Sequence, residues 1–264
     1  MKLVLALLLA ATPAAADDRL TDDTPYKLPS GAVRAGLWKL QYGVHSVRGL
    51  ELGTSTLPYL SYAFGVSTFN AHAKYQFFDK EHWTLAASLG VSYVDLAGLD
   101  IDARIAIVPI QILAARRFGK RLTLGLGTMF SSISGEGSYN ADEASEFRGA
   151  VAVDNVQSWI SLMIHLSRGW TLYLESRAVS STEAAGQGDG TIAIDERTTV
   201  DVAFTGNASI DELRGGSWSV AAQYSRRRLR LRFGVGYGNY NIPLINFIVP
   251  VATPFPIFDL SWVF

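Results

Sequence analysis

Apolar and polar residues alternate with a period of two along most of this chain. Trp38, Leu40, Tyr42 and Val44 share one parity, and Lys39, Gln41 and Gly43 the other. Phe69, Ala71, Ala73, Tyr75 and Phe77 alternate with Asn70, His72, Lys74 and Gln76. From Trp83 to Tyr93 every second residue is apolar, with Thr84, Ala86, Ser88, Gly90 and Ser92 between. Leu229, Leu231, Phe233, Val235 and Tyr237 alternate with Arg230, Arg232, Gly234, Gly236 and Gly238. The same period runs through Leu122–Gly127, Val156–Leu166, Trp170–Arg177 and Trp218–Tyr224. A period of two places successive side chains on opposite faces of a strand. Ile101 to Ala114 is less regular, and Pro109 predicts a bulge or register change there, because proline cannot donate to a ladder.

A soluble sandwich would alternate too. Two features favour strands in lipid. Aromatic residues stand at the ends of the apolar runs, at Trp83, Tyr93, Trp170, Trp218, Tyr224 and Tyr237, where interfacial girdles belong. The opposite faces carry Gly, Ser, Thr and charge, which suit a wet or tightly packed lumen. The fold class predicted is therefore all-β, a transmembrane antiparallel up-and-down β-barrel of 10–12 strands. Short turns at 79–82, 116–121, 167–169 and 226–228 alternate with longer segments at 97–100, 135–150, 181–215 and 239–253. Bacterial barrels place short turns on the periplasmic side and long loops outside. Counting back from the C-terminus gives nine strands to residue 69. The segment from Arg34 to Tyr59 adds one strand, or two about a turn at Ser46–Gly49. Even strand numbers then allow ten, or twelve with a further strand near residues 20–32, and Leu50-Glu51-Leu52 tips the reading towards twelve.

The N-terminus reads as a secretory signal. Lys2 supplies the positive start, Leu3 to Thr12 an apolar run too short to span a bilayer, and Ala14-Ala15-Ala16 a small-residue cleavage site. The organisation expected is a cleaved signal peptide over 1–16, a periplasmic N-terminal segment over 17–32, and the barrel over 33–264. The other long apolar stretch, Ile242 to Phe258, holds Pro243, Pro250, Pro254 and Pro256, which deny it a helix.

At the C-terminus Phe258, Leu260, Trp262 and Phe264 alternate with Asp259, Ser261 and Val263. This resembles the closing strand of bacterial outer-membrane β-barrel proteins, which ends in an aromatic with apolar residues at every second position before it. The resemblance implies a porin-like architecture, residence in the outer membrane, and contact with outer-membrane lipids. It also implies that Trp262 and Phe264 form the signal read by the barrel-assembly machinery.

Composition narrows the chemistry. Net charge is −1 over 264 residues, which argues against nucleic acid as a partner. Cysteine is absent, so no disulfide or thiolate metal site exists. No paired-histidine or histidine–carboxylate spacing suggests a metal, and no cofactor motif stands out. The glycines of 234–238 continue a strand and suit tight packing in the lumen better than a phosphate loop. Arg116, Arg117, Arg121 and Arg226–Arg228 crowd the short turns, while the longer segments are acidic. Solvated ends with basic turns against anionic headgroups explain this; acidic loops gathering divalent cations are the sharper alternative. The predicted lumen lining comprises Lys39, His72, Lys74, Asp102, Arg104, Glu175, Arg177, Arg230, Arg232 and Asp259. Such charges either pair into a network that fills the lumen or line a water path, in which case the cationic excess predicts a slight anion preference.

Catalysis has little support. The four histidines, His45, His72, His82 and His165, stand in no recognisable triad pattern. Ser161 and His165 share a face but lie about 13 Å apart at ~3.3 Å per residue. No enzymatic role is expected. The leading expectation is a passive channel or small-solute transport barrel for solutes or ions. The alternative is a closed structural or surface-recognition barrel working through its outer loops, including the apolar 239–253. A surface lipid hydrolase ranks last.

Overall fold

The computed structural model describes residues 24–56, 59, 67–96, 101–142, 145–166, 169–195, 198–209, 216–238 and 252–264. The strands are β1 (Val33–Gly36), β2 (Lys39–Gly43), β3 (Leu50–Ser55), β4 (Ser67–Lys80), β5 (Trp83–Asp95), β6 (Ile101–Phe118) and β7 (Leu122–Asp142). They continue with β8 (Ser145–His165), β9 (Trp170–Asp195), β10 (Thr198–Ser209), β11 (Gly216–Arg226), β12 (Leu229–Gly238) and β13 (Thr253–Val263). All pairings are antiparallel. Twelve of these strands close into a ring, with β1 paired to β13 and β8 paired to β9. β10 stands outside the ring and pairs with β9 only above Thr182, where β11 has ended.

The nine strands counted back to residue 69 are those of the ring from β4 to β13. The hairpin turn about Ser46–Gly49 joins β2 to β3. The twelfth strand is not near residues 20–32. It is β1, split from β2 by a two-residue turn at Leu37-Trp38. Arg34 pairs with Gln41 across that turn and with Val263 on the other side, so four residues suffice to close the ring.

Side-chain direction follows the alternation. Phe69, Leu89, Ile112, Leu126, Ile160, Phe233, Val235 and Leu260 are exposed on the outer face. Along β5 this belt runs from Trp83 to Tyr93. Ten residue steps at ~3.4 Å and a tilt of ~40° rise about 26 Å, which matches the ~25 Å apolar band of outer-membrane barrels. Trp170 packs on Tyr224 at 5.0 Å and on Phe233 at 6.0 Å at one edge of the belt, and Trp218 meets Tyr237 at 6.5 Å at the other. In β4 a bulge between Gln76 and Phe78 leaves both Phe77 and Phe78 exposed on the outside.

Two expectations change. Pro109 brings no bulge: Leu89 pairs with Ile110 and Ser92 with Ile107 in one unbroken register, and the β6–β7 ladder runs without a shift from Ile101 to Phe118. Much of the sequence read as long outer loops is strand. β7 and β8 extend to Asp142 and Ser145, and β9 and β10 form a hairpin over 183–209. These extensions carry polar, Gly and Ala residues because they rise past the apolar belt, where no lipid demands alternation. The apolar stretch 239–251 lies outside the described residues.

Inside the ring, glycines make room for larger neighbours. A Cβ at Gly236 would overlap the Phe255 ring, whose strand partner it is. Gly236→Val should therefore cost about 1–3 kcal/mol of overpacking, read as a lower temperature of heat modification on semi-native gels. Adding Phe255→Ala should restore most of the loss; a double variant no better than the single one would show that this contact is not the cause.

Candidate functional site: the lumen and its N-terminal segment

The segment before β1 enters the barrel. Pro25 and Leu28 are fully buried, and Tyr26 nearly so. Tyr26, Leu28 and Ala32 form one apolar cluster with Ala115 of β6, Met163 of β8, Tyr173 of β9, Ala221 of β11 and Val263 of β13. Ala115, Met163 and Val263 lie near the short-turn ends of their strands. Residues 24–32, part of the segment expected in the periplasm, thus sit inside the barrel at its short-turn end.

A carboxylate holds the segment there. Glu51 points inward from β3 with no exposed side-chain surface. It accepts the Leu28 backbone N–H at 2.8 Å and the Gln41 amide at 3.0 Å. Lys74 Nζ lies 3.5 Å away. Gln41 also accepts from Arg34 at 3.1 Å, and Arg34 donates to Asp259 at 2.5 Å and to Ser261 at 3.1 Å. One polar chain therefore crosses β13, β1, β2, β3 and β4 and ends on the inserted segment. A buried carboxylate is tolerable only when paired and hydrogen-bonded like this.

The opposite wall is built differently. Arg177 donates to Glu175 at 2.9 Å and lies over the Trp159 ring at 4.6 Å. Arg232 lies over the Tyr173 ring at 4.7 Å. Trp159 joins Ala86, Leu113 and Met129 in an apolar patch on the lumen side of β5 to β8. The lumen therefore has a charged wall and a mixed aromatic–guanidinium wall.

Eight of the predicted lining residues fall on the inward faces: Lys39, His72, Lys74, Glu175, Arg177, Arg230, Arg232 and Asp259. Lys74 joins the Glu51 cluster, and His72 Nε2 lies 3.5 Å from the Gln41 amide. Asp102 and Arg104 do not line the lumen. Arg104 pairs with Asp95 and Glu136, on the face that carries Tyr93 lower down. Ala103, Ile105 and Ile107 take the inward side instead. An apolar residue points to lipid only within the lipid belt, and this part of β6 has left it. Arg34, Gln41, Glu51, Tyr26 and Leu28 were not singled out from sequence. A lone acid between Leu50 and Leu52 was the available signal for Glu51. The histidines are scattered: His165 Nδ1 lies 3.1 Å from Thr171 Oγ1, and His82 sits in the β4–β5 turn.

Removing Glu51 should release the segment. Glu51→Ala leaves Lys74 buried without its carboxylate and should cost about 3–5 kcal/mol; Glu51→Gln, which keeps an acceptor for Leu28 N–H, should cost less. The expected readout is new protease cleavage near Lys27 in the folded Glu51→Ala barrel. Equal resistance in wild type and variant would show that Glu51 does not hold the segment.

No protein-family model matches this chain, and no curated protein matches it. Among solved structures it is similar to the ferric yersiniabactin uptake receptor FyuA from Yersinia pestis, with 11% identity and a TM-score of 0.39 over 87% of this chain and 41% of the receptor. A mutant of the monoaromatic hydrocarbon channel TodX shows 11% identity and a TM-score of 0.47, over 89% of this chain and 67% of the channel. The translocator domain of the autotransporter NalP from Neisseria meningitidis shows 9% identity and a TM-score of 0.35, over 88% and 85%. The chain spans about two fifths of the receptor's length. With a closed antiparallel ring of twelve strands, an apolar belt edged by aromatics outside and a polar, charged interior, the chain is an up-and-down β-barrel.

Proposed function

We propose that this barrel is a passive, narrow channel for small solutes, selective towards anions and constricted at its periplasmic mouth by its own N-terminal segment. The carrying observation is the charge of the inward faces. Arg34, Lys39, Lys74, Arg177, Arg230 and Arg232 face Glu51, Glu175 and Asp259. A barrel interior held by lipid on all sides focuses that cationic excess along its axis. Sequence 1–16 fits a cleaved export signal. Trp262 and Phe264 fit the recognition signal of the barrel-assembly machinery.

A second reading, a closed barrel, is favoured by the apolar contacts of Tyr26 and Leu28 with five strands, which resemble a seal more than a lining. Planar-bilayer recording of the refolded chain from Asp17 to Phe264 separates the two. Stable steps with a reversal potential on the anion side in a KCl gradient are expected, moving towards zero in Arg177→Gln and Arg232→Gln. A cation-side potential would overturn the selectivity. Silence from a heat-modifiable, correctly folded barrel, persisting in Glu51→Ala, would establish the closed barrel instead.

A further inference from the structure

The extension of β5 to β10 above the lipid belt has an outward face that neither the lumen nor the channel reading uses. The ladder registers carry that face across six strands. One row runs Tyr93, Ala106, Ser134, Ala152, Ala185 and Asn207. The row above runs Asp95, Arg104, Glu136, Ala150, Gln187 and Thr205. A third runs Asp102, Ser138, Arg148, Asp189 and Ala203. Residues directly opposite one another in an antiparallel ladder share a face. The middle of this face is therefore floored by small side chains and edged by long polar ones.

That arrangement leaves a groove. A depression of about 780 Å³ lies over the lower two rows, and another of about 760 Å³ continues over the upper two, sharing Arg104, Glu136, Ala150, Gln187 and Thr205. On the other side of the same strands Phe147 stacks on Phe204 at 5.8 Å, which braces β8 against β10 behind the groove.

We propose that this groove binds the saccharide headgroup of an outer-leaflet glycolipid. The first reason is continuity with the bilayer interface. The groove begins at Tyr93, the end of the lipid-facing run of β5, so its occupant stands directly above the acyl chains that cover Leu89 and Val91. The second reason is the charge pattern. Arg104 is already shared between Asp95 at 3.9 Å and Glu136 at 3.6 Å. Arg104 and Arg148 face Asp95, Asp102, Glu136 and Asp189, so the face is slightly acidic and does not attract phosphate. Carboxylates, amides and guanidinium groups presented side by side over a flat floor instead match the paired hydroxyls of a sugar ring, and Tyr93 offers an aromatic edge at the membrane end. The inference does not depend on whether the lumen conducts.

The test compares three probes on the refolded protein in detergent: lipopolysaccharide carrying core sugars, lipid A without them, and the detached core oligosaccharide. Tight binding of the first and measurable binding of the third are expected, with lipid A alone weaker. Ala152→Trp fills the floor and should weaken both sugar-bearing probes about tenfold or more while leaving lipid A unchanged. Gln187→Ala with Asn207→Ala removes edge donors and should do the same if the bulky variant fails to fold, folding being read by heat modification. Equal binding of lipid A and the core-bearing form, loss of binding on removing lipid A phosphates, or wild-type affinity in the folded variants would each overturn the proposal. Conductance of the same variants should be unchanged, which keeps a failure here distinct from a failure of the channel reading.

Discussion

Everything in this molecule depends on closing the ladder between β13 and β1. In hydrocarbon no water satisfies a backbone N–H or C=O, so a sheet in a bilayer must have no free edge within it. Closure is made by few residues. Val33 and Phe264 exchange backbone hydrogen bonds at 3.1 and 2.8 Å, and Leu37 donates to Leu260 at 2.9 Å. The Trp38 indole also donates to the Phe258 carbonyl. The terminal aromatic is therefore part of the seam as well as part of the outer belt.

The seam is also where the interior is most strongly tied. Arg34 and Asp259 sit on the two strands that meet there, and their pairing continues through Gln41 to Glu51. Glu51 then binds the Leu28 amide. A polypeptide segment inside a barrel has its own unpaired backbone groups, and a buried carboxylate is among the strongest acceptors that can meet one. Closure of the wall and placement of the segment are thus coupled through one chain of charged hydrogen bonds, on the side of the barrel where the strands are shortest. The far wall has longer strands and combines the Arg177–Glu175 pair with the apolar patch of Trp159, Leu113 and Met129.

The sequence was legible wherever lipid imposed the alternation. Trp83 to Tyr93, Leu229 to Tyr237 and Phe258 to Phe264 could be assigned to faces residue by residue, and Lys74, Glu175, Arg177 and Arg232 followed. Legibility ended in two places. Above the belt the alternation loses its physical cause, so β7 to β10 read as loops and Asp102 and Arg104 took the wrong face. Below β1, Pro25 and Pro29 make a poor strand, yet the even count of twelve asked for one near residues 20–32; residues 24–32 are irregular instead, and a single-sequence pattern carries no sign that such a segment folds back into a barrel. β1 itself was hidden because four residues are too few for a period to show, and its partner β13 lies at the other end of the chain.

The two faces of this sheet exchange their character at the rim. Below it the outer face is apolar and the inner face polar, as a bilayer requires. Above it Ala103, Ile105 and Ile107 turn inward, while Arg104, Glu136, Gln187 and Asn207 look outward. The β6–β7 ladder runs unbroken through both zones, so on those strands the change is written in residue choice. On β9 backbone geometry contributes as well: the β8–β9 register shifts between Val156 and Gln157, which turns the odd-numbered residues of upper β9, Gln187 among them, outward. An extension serving only to raise the wall would tolerate long side chains at every outward position. Rows of Ala, Ser and Thr across neighbouring strands instead leave a depression just past the end of the apolar belt, and it is on that position that the proposed binding of a glycolipid headgroup rests.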